Sequence, residues 1–196
     1  MKLLASAGPA VADNAVIERS HASPEEFAAI YDRHAEAVHR YLARRVGQSA
    51  ADDLMAETFL EAFRIRARYD AGRADARPWL YGIATNLLHR HHRAETRQYR
   101  ALARTGVDPT HDDTDTVAAR LAASTSTRRI AAVLAKLPIG ERDVLLLVAW
   151  EDLGYAEVAH ALDIPIGTVR SRLHNARRRL RKALADLNPL DHSDKD

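Results

Sequence analysis

The sequence predicts an all-α protein made of two small helical domains that are joined by a flexible acidic linker. Apolar residues recur at helical spacing in both halves of the chain, and no run alternates as a β-strand does. Aromatic residues make up only 6% of the sequence. Between the halves, residues 105–119 carry four Asp and no Lys or Arg, a composition that disfavours packing. A chain of 196 residues can form one domain or two small ones.

Charge and turn-forming residues indicate where each domain begins and ends. The predicted boundaries are a disordered tail at residues 1–22, a first domain at 23–100, a linker at 101–126, a second domain at 127–186 and a frayed acidic tail at 187–196. The first residues faintly resemble a secretory signal. Gly8 and Pro9 interrupt the apolar stretch, however, so the sequence favours a tail over a signal peptide.

Three helices are predicted in the first domain. Ser23 precedes "PEEF" and, with Glu26 three residues later, forms the pattern of a capping box. Apolar residues then recur at helical spacing until Gly47, which marks a break. A second helix is expected over residues 50–68. A loop rich in Gly and Asp follows, and Pro78 opens the third helix, "PWLYGIATNLLHRHHR".

The second domain is also predicted to be helical. A periodic segment ends at Pro138, and "ERDVLLLVAW" has the composition of a buried helix. "YAEVAHAL" predicts a short helix, Asp163 to Pro165 a tight turn, and the following segment a long basic helix. A short helix, a tight turn and a second helix form the helix-turn-helix pattern, whose second helix enters the DNA major groove.

The basic helix contains seven Arg or Lys and no acid within residues 167–182. At 100° per residue, its apolar side chains form one stripe: Val169, Leu173, Ala176 and Leu180. The opposite face carries Ser171, His174, Asn175 and Arg178. This arrangement suits a helix whose central side chains reach base edges while flanking arginines neutralise phosphates. An ordinary solvated surface helix is the alternative interpretation.

Charge is segregated along the chain although the net charge is only +2. Residues 47–63 hold four acids and no base, whereas residues 64–104 hold ten Arg and three acids. Such blocks suggest contact with both a basic and an acidic partner. The absence of Cys excludes disulfides and thiolate metal sites. No apolar run is long enough to span a membrane.

The C-terminal half resembles a known DNA-binding domain. "LPIGERDVLLL", "YAEVA" and above all "GTVRSRL" followed by "ARRRL" are similar to the minus-thirty-five-binding domain of extracytoplasmic-function (ECF) sigma factors. These are the smallest members of the bacterial sigma-70 family. "FAAIYDRHAEAVHRYLARRV", "ADDLMAETFLEAFR" and "RPWLYGIATNLLHRHHR" resemble region two of the same family. The resemblance covers about residues 24–186.

The resemblance implies a cytoplasmic transcription initiation factor that is not an enzyme and needs no cofactor or metal. Its expected partners are core RNA polymerase, through the β′ coiled coil and the β flap, promoter DNA and an anti-sigma factor, without membrane insertion. The acidic linker is expected either to thread toward the polymerase active-site and RNA-exit channels or to be a solvated tether.

The resemblance also assigns site residues. For polymerase binding they are Asp52, Asp53, Leu54, Glu57 and Leu60. For the minus-ten element they are Tyr69, Trp79, Asn86, Arg90 and Arg93. For the minus-thirty-five element they are Thr168, Arg170, Ser171, Arg172, His174, Asn175 and Arg178. The last set departs from the family at His174 and Asn175, so the preferred upstream sequence does not carry over.

The chemistry of these residues fits the implied roles. An amide such as that of Asn86 hydrogen-bonds an unpaired base edge, and an aromatic ring stacks on one. The family pattern assigns capture of a flipped minus-ten base to Asn86 and the loop at residues 69–77, which needs no covalent catalysis. Packing remains the alternative role for Trp79 and Tyr81, and for the apolar residues Leu54, Phe59 and Phe63.

Two other function classes are weaker. A metal site is suggested by three nearby histidines, His89, His91 and His92. Neighbouring helical residues point about 100° apart, however, and no HExxH motif or Cys supports such a site. "HDD" at residues 111–113 resembles a motif of metal-dependent phosphohydrolases. It lies in a predicted loop without the other residues of that motif, so it is weak support for an enzyme. A regulator whose helix-turn-helix binds an operator unaided is the stronger rival, and the region-two resemblance argues against it.

Overall fold

The computed structural model describes residues 11–104 and 132–185, and within these ranges the secondary structure is helical with no strand. The α-helices that we label within these ranges are α1 (Asp13–Arg19), α2 (Ala28–Val46), α3 (Gln48–Ile65), α4 (Arg77–Arg104), α5 (Ile139–Trp150), α6 (Tyr155–Ala161) and α7 (Ile166–Ala185). Two 3₁₀ turns cover Pro24–Phe27 and Arg66–Arg68, and residues 132–136 are helical. We call residues 11–104 the N-terminal unit and residues 132–185 the C-terminal unit. The all-α prediction is confirmed.

The N-terminal unit is built on α2, α3 and α4, which pack on one another. Ile30, Leu42 and Leu80 are completely buried between them. Gly47 joins α2 to α3 with φ of 82°, in the left-handed region that glycine adopts most readily. Its amide donates to the carbonyl of Ala43 at 3.0 Å, which ends α2 and lets α3 begin one residue later.

Helix α1 corrects the predicted tail at residues 1–22. Residues 13–19 are helical, and Val16 and Ile17 are each only 1% exposed. The short apolar pattern of this helix gave too little periodicity to predict it. Its order comes from burial against the rest of the N-terminal unit and from hydrogen bonds made by Asp13. The N-terminal unit therefore begins earlier than residue 23.

The other boundary corrections in the N-terminal unit are smaller. Ser23 does not cap a helix through its side chain. Glu26, its predicted partner in the capping box, instead pairs with Arg19 of α1 at 3.2 Å. Helix α3 spans Gln48–Ile65, two residues earlier at its start than expected. Helix α4 ends at Arg104, inside the predicted linker, whose remaining residues lie outside the described ranges.

The C-terminal unit has a core of its own. Helix α5 packs on α7, and the short α6 contacts both. Val144 and Leu147 of α5 meet Val158 of α6 and Val169 of α7 in this core, and all four side chains are fully buried. Pro138 is the N-cap residue of α5, where its missing amide hydrogen costs no helical hydrogen bond.

The two units pack against each other through α4 and α6. Gly82 of α4 lies so close to α6 that a Cβ atom placed on it would overlap the carbonyl oxygen of Ala161. Gly82 is therefore buried at the contact between the units. Glycine is needed here because the helix backbones approach closely.

Candidate nucleic-acid and polymerase interfaces

Helix α7 has the two faces that its sequence predicted. Val169, Leu173 and Ala176 are at most 2% exposed, and Leu180 packs against the same core. Burial of this stripe fixes the rotation of the helix about its axis. The opposite, arginine-rich face therefore points outward, where it is open to a large anionic partner.

The turn before α7 has the geometry of a helix-turn-helix. Asp163 adopts φ of 50°, which reverses the chain after α6. The amide of Ile164 donates to the carbonyl of Ala159 at 3.0 Å. The amide of Thr168 donates to the carbonyl of Pro165 at 2.8 Å and starts α7. Helices α6 and α7 are thus locked in a fixed relative orientation.

The residues predicted to contact the upstream element share this outward face to different degrees. Four of them are exposed, namely Arg170, Ser171, His174 and Arg178. Three are half-buried, namely Thr168, Arg172 and Asn175. The guanidinium of Arg172 lies against the backbone of Gly140 in α5, and the Ser171 hydroxyl donates to the carbonyl of Thr168 at 3.0 Å. Of the predicted arginines, Arg170 and Arg178 are therefore more accessible to a large partner than Arg172.

In the N-terminal unit, the predicted minus-ten residues lie in the loop before α4, at the start of α4 and along one stripe of this helix. Asn86, Arg90 and Arg93 are exposed. Trp79 is half-buried, and its ring meets that of Tyr69 edge-on with centroids 5.0 Å apart. Tyr81 is only 2% exposed, so the packing interpretation is correct for this residue.

The loop that precedes α4 is held in shape by its own side chains. The Tyr69 hydroxyl donates to the carbonyl of Arg73 at 2.6 Å, and the Asp70 carboxylate accepts from the amide of Gly72 at 3.0 Å. Burial, with the negative charges of Asp13, Asp75 and Asp70, raises the pKa of Tyr69 to about 12. The phenol is therefore a neutral hydrogen-bond donor at physiological pH.

Helix α1 fastens the same loop from outside. The Asp13 amide donates to the carbonyl of Ala74 at 3.0 Å, and the Asp13 carboxylate accepts from the amide of Ala76 at 3.0 Å. The Asn14 side chain donates to the carbonyl of Ala71 at 2.8 Å. Sequence reasoning missed these residues because α1 itself was predicted to be a tail.

The Asp13 carboxylate is ion-paired as well. Its oxygens lie 2.9 Å from Arg33 Nη1 and 2.7 Å from His34 Nε2. Burial alone raises the pKa of this carboxyl, but hydrogen bonds from His34, the amide of Ala76 and Arg33 outweigh it. The pKa falls from 3.8 to about 2.

The predicted polymerase-binding face lies on α3. Asp52, Asp53 and Glu57 are exposed, and Leu60 is 49% exposed. Leu54 is only 5% exposed, so its side chain belongs mainly to the core, and Phe59 does too. On this face, Leu60 therefore presents more apolar surface than Leu54.

An ion pair joins two residues to which the sequence assigned different partners. Arg90 Nη2 donates to Glu57 Oε1 at 2.7 Å, with both side chains about half exposed. The pair stands beside a shallow groove of about 400 Å³ that is also lined by Leu87 and His91. The stripe of α4 that carries the predicted minus-ten residues and the face of α3 that carries the predicted polymerase-binding residues thus meet along the edge between the two helices.

A chain of buried polar groups ties the two units together, and the sequence did not reveal it. Asp143 of α5 lies 2.6 Å from Arg45 of α2 and 2.8 Å from His89 of α4. Arg45 also donates to the Tyr41 hydroxyl at 2.8 Å, which meets Thr85 at 2.9 Å. Burial raises the pKa of Asp143, but the contacts with His89 and Arg45 outweigh it and lower the pKa.

A second polar contact lies beside the first. The Tyr81 hydroxyl donates to Glu151 Oε2 at 2.5 Å, and the guanidinium of Arg44 lies 5.0 Å from the Trp150 ring centroid. We call these contacts, with those of Asp143 and Gly82, the inter-unit interface. In the sequence, the local signal for this contact is that Asp143 directly precedes the apolar run at residues 144–150, where burial of a carboxylate requires a partner.

Within the described residues, no group of three or more His, Asp or Glu side chains is arranged to hold a metal ion. His89 instead pairs with Asp143. The "HDD" motif at residues 111–113 and the acidic part of the linker lie outside the described ranges. Among the described helices, none is long and apolar enough to cross a membrane.

Both halves of the chain match families of one kind. Residues 30–98 match Sigma-70 region 2, and residues 127–180 match Sigma-70, region 4. The ECF RNA polymerase sigma factor SigC of Mycobacterium tuberculosis is 36% identical over 157 residues, which cover 79% of each chain. The ECF RNA polymerase sigma factor SigW of Bacillus subtilis is 30% identical over 179 residues, covering 83% of this chain and 91% of SigW.

Solved structures agree with the fold. CnrH, in a complex with the cytosolic domain of CnrY, superposes with a TM-score of 0.62 at 26% identity, covering 90% of this chain and 98% of CnrH. The sigma factor RpoE of Bartonella quintana, in complex with the anti-sigma factor NepR, has a TM-score of 0.62 at 20% identity, covering 82% of this chain and 98% of RpoE. From its family matches and these relatives, the chain belongs to the ECF sigma factors of the sigma-70 family.

Proposed function

We propose that this sigma factor directs core RNA polymerase to promoters by holding the minus-thirty-five element with α7 and the minus-ten element with the N-terminal unit. The observation that carries the proposal is the outward face of α7, which presents Arg170, His174 and Arg178 from a helix-turn-helix whose other face is buried. Arginine reads guanine edges and neutralises phosphates, so this face suits a major groove.

The N-terminal unit opens the duplex at the minus-ten element. Asn86 is exposed on α4, the helix that follows the loop at residues 69–76, and its amide can pair with the edge of an extruded base. Arg90 and Arg93 lie further along the same helix and hold the phosphates of the strand. Extruding a base costs a few kcal/mol. Contacts that form only with the extruded base offset this cost.

The two units must separate for both elements to be held at once. Elements centred about 25 base pairs apart lie roughly 85 Å apart along B-DNA. A compact unit of this size is about 40 Å across. The packed arrangement, with α4 against α6, is therefore a state of the free protein or of a complex with a regulatory protein. An anti-sigma factor is the partner of this kind that the family implies.

Docking on polymerase uses the acidic face of α3. Asp52, Asp53 and Glu57 offer three exposed carboxylates to a basic partner surface, and Leu60 adds apolar contact. The protein acts by binding and positioning rather than by catalysis. Glu57→Arg reverses the charge at the centre of this face, and we expect it to reduce core binding in a pull-down.

Transcription with purified core on a promoter library tests the proposal. We expect wild-type protein to confer initiation at defined start sites that core alone does not use. Asn86→Ala should lower open-complex formation and leave core binding intact, whereas equal loss of both would contradict the base-capture role. Tight operator binding by the protein alone, unaffected by added core, would instead identify a stand-alone regulator.

A further inference from the structure

We infer that Asp13 is a positioning residue for minus-ten recognition, holding the loop at residues 69–76 in the shape that receives the extruded base. The inference rests on the proposed function of that loop. It adds a role for α1, which precedes the part of the chain that matches Sigma-70 region 2 at residues 30–98.

The first step of the argument is where the loop is held. Helix α1 bonds to the loop backbone at Ala71, Ala74 and Ala76, over 2.8 to 3.0 Å. These three bonds are spread along the loop and reach its junction with α4. A loop fixed at several backbone groups cannot rotate its peptide planes freely, so the groups on its open side keep fixed directions.

The second step concerns the anchor itself. The Asp13 side chain is 9% exposed and is gripped by Arg33 and His34, both on α2. Helix α2 belongs to the core of the N-terminal unit, so Asp13 transmits the position of that core to the loop. Its low pKa keeps the carboxylate charged, and charge-assisted hydrogen bonds are stronger than neutral ones.

The third step connects the anchored loop to the DNA-facing side chains. Tyr69 begins the loop, stacks edge-on against Trp79 and donates to the carbonyl of Arg73. Ala76 immediately precedes α4, the helix that carries Asn86. Recognition groups must be held to within about 0.5 Å of the productive geometry, and groups on a loop are held less exactly than groups on a helix. Loss of the anchor should therefore weaken discrimination between bases before it weakens general DNA binding.

The test uses holoenzyme assembled from core polymerase and the full chain. Its affinity is measured for single-stranded minus-ten oligonucleotides with the preferred base and with a changed base at the captured position. The variants are Asp13→Ala, Asn14→Ala and, as a matched control on the outer face of α2, Asp32→Ala. Core binding and thermal unfolding are measured alongside.

We expect Asp13→Ala to reduce the ratio of preferred to changed-base affinity by about tenfold, Asn14→Ala by about threefold, and Asp32→Ala not at all. Core affinity should stay unchanged in all three. Asn14 is an exposed contact, so its variant keeps the test valid if Asp13→Ala folds poorly.

The inference is overturned if the ratio is unchanged in both loop-anchor variants, or if both oligonucleotides lose affinity equally, which is the sign of a merely structural role. Failure of the proposed function has a different signature. In that case wild-type holoenzyme itself would not distinguish the two oligonucleotides.

Discussion

The surfaces that we propose for DNA binding are constructed in different ways in the two units. In the C-terminal unit a single helix, α7, supplies the surface, and burial of Val169 and Leu173 sets its direction. In the N-terminal unit the surface combines α4 with a loop that α1 fastens through Asp13. The first design depends on helical periodicity alone, whereas the second depends on contacts between residues far apart in the sequence.

The difference matters for how each surface fails. A helix face loses one contact at a time, because each side chain stands on a rigid backbone. A loop that is held by buried ion pairs loses its shape when one anchor is removed. We therefore expect substitutions in α7 to have graded effects and substitutions at the anchors of the N-terminal unit to have larger, shared effects.

The largest effect is expected where the units meet. Asp143→Ala leaves Arg45, whose side chain is 4% exposed, without its counter-ion. Removal of one partner of a buried pair costs about 3–5 kcal/mol. We expect the units to separate while each stays helical, seen as a larger radius of gyration in X-ray scattering with unchanged far-UV circular dichroism.

Two further variants sharpen this prediction. Asp32→Ala, an exposed change on α2, should leave the radius of gyration as it is. The double variant Arg45→Met with Asp143→Leu removes both charges of this pair, so neither is left buried without the other, and it should restore much of the packing. A compact Asp143→Ala protein would show that the inter-unit interface does not depend on this ion pair.

The next effect concerns the anchor of the loop and depends on pH. Because the pKa of Asp13 is lowered from 3.8 to about 2, the folded state is stabilised by about 2 kcal/mol above pH 4. This stabilisation is lost as the pH falls from about 4 toward 2. Urea unfolding at pH 7 and at pH 3 should show Asp13→Asn destabilised at pH 7 and closer to wild type at pH 3. A constant difference across that range would contradict the lowered pKa.

A smaller effect is expected on the face of α7. Arg170→Ala removes an exposed guanidinium on the flank assigned to phosphate contact. We expect about 1–2 kcal/mol less binding, or roughly tenfold lower transcription from promoters that depend on the upstream element. The slope of the logarithm of the DNA-binding constant against the logarithm of the salt concentration should also decrease by about one released ion. Arg64→Ala, an exposed arginine on α3, is the control, and equal losses in the two variants would count against a specific role.

The smallest effect tests the edge where the polymerase face meets the DNA stripe. The Glu57–Arg90 pair is half exposed and is worth at most about 1 kcal/mol. Glu57→Gln frees Arg90, so binding of single-stranded DNA by the protein alone should rise by about twofold to threefold while core affinity falls. Asp53→Asn changes the same face without freeing Arg90 and should lower core affinity only. A rise in DNA binding in both variants would show a general charge effect.

The sequence predicted the elements whose evidence is local. The apolar stripe of α7, the turn at Asp163 and the buried α5 all follow from spacing within a single segment. The exposed acids of α3 were predictable for the same reason. These features account for the outward face of α7 and for the acidic face of α3.

The features that sequence reasoning missed depend on distant partners. The sequence places Asp13 in a predicted tail, whereas in the structure its carboxylate bonds to Arg33, His34 and the amide of Ala76. In the sequence, Arg45 cannot be distinguished from a surface arginine, whereas in the structure it pairs with Asp143 of the other unit. Gly82 reads as a helical residue of low propensity until α6 lies against it. Spacing along one segment carries no information about such pairings.

The composition of the inter-unit interface has a consequence for the protein after it opens. Asp143, Arg45, His89 and Glu151 are groups that water solvates well once they are parted, so separation uncovers hydrophilic surface along with the ring of Tyr81. An interface made only of apolar residues would expose a large apolar patch on separation, and such patches promote aggregation. An interface that is closed largely by charged groups can therefore separate without exposing a large apolar patch.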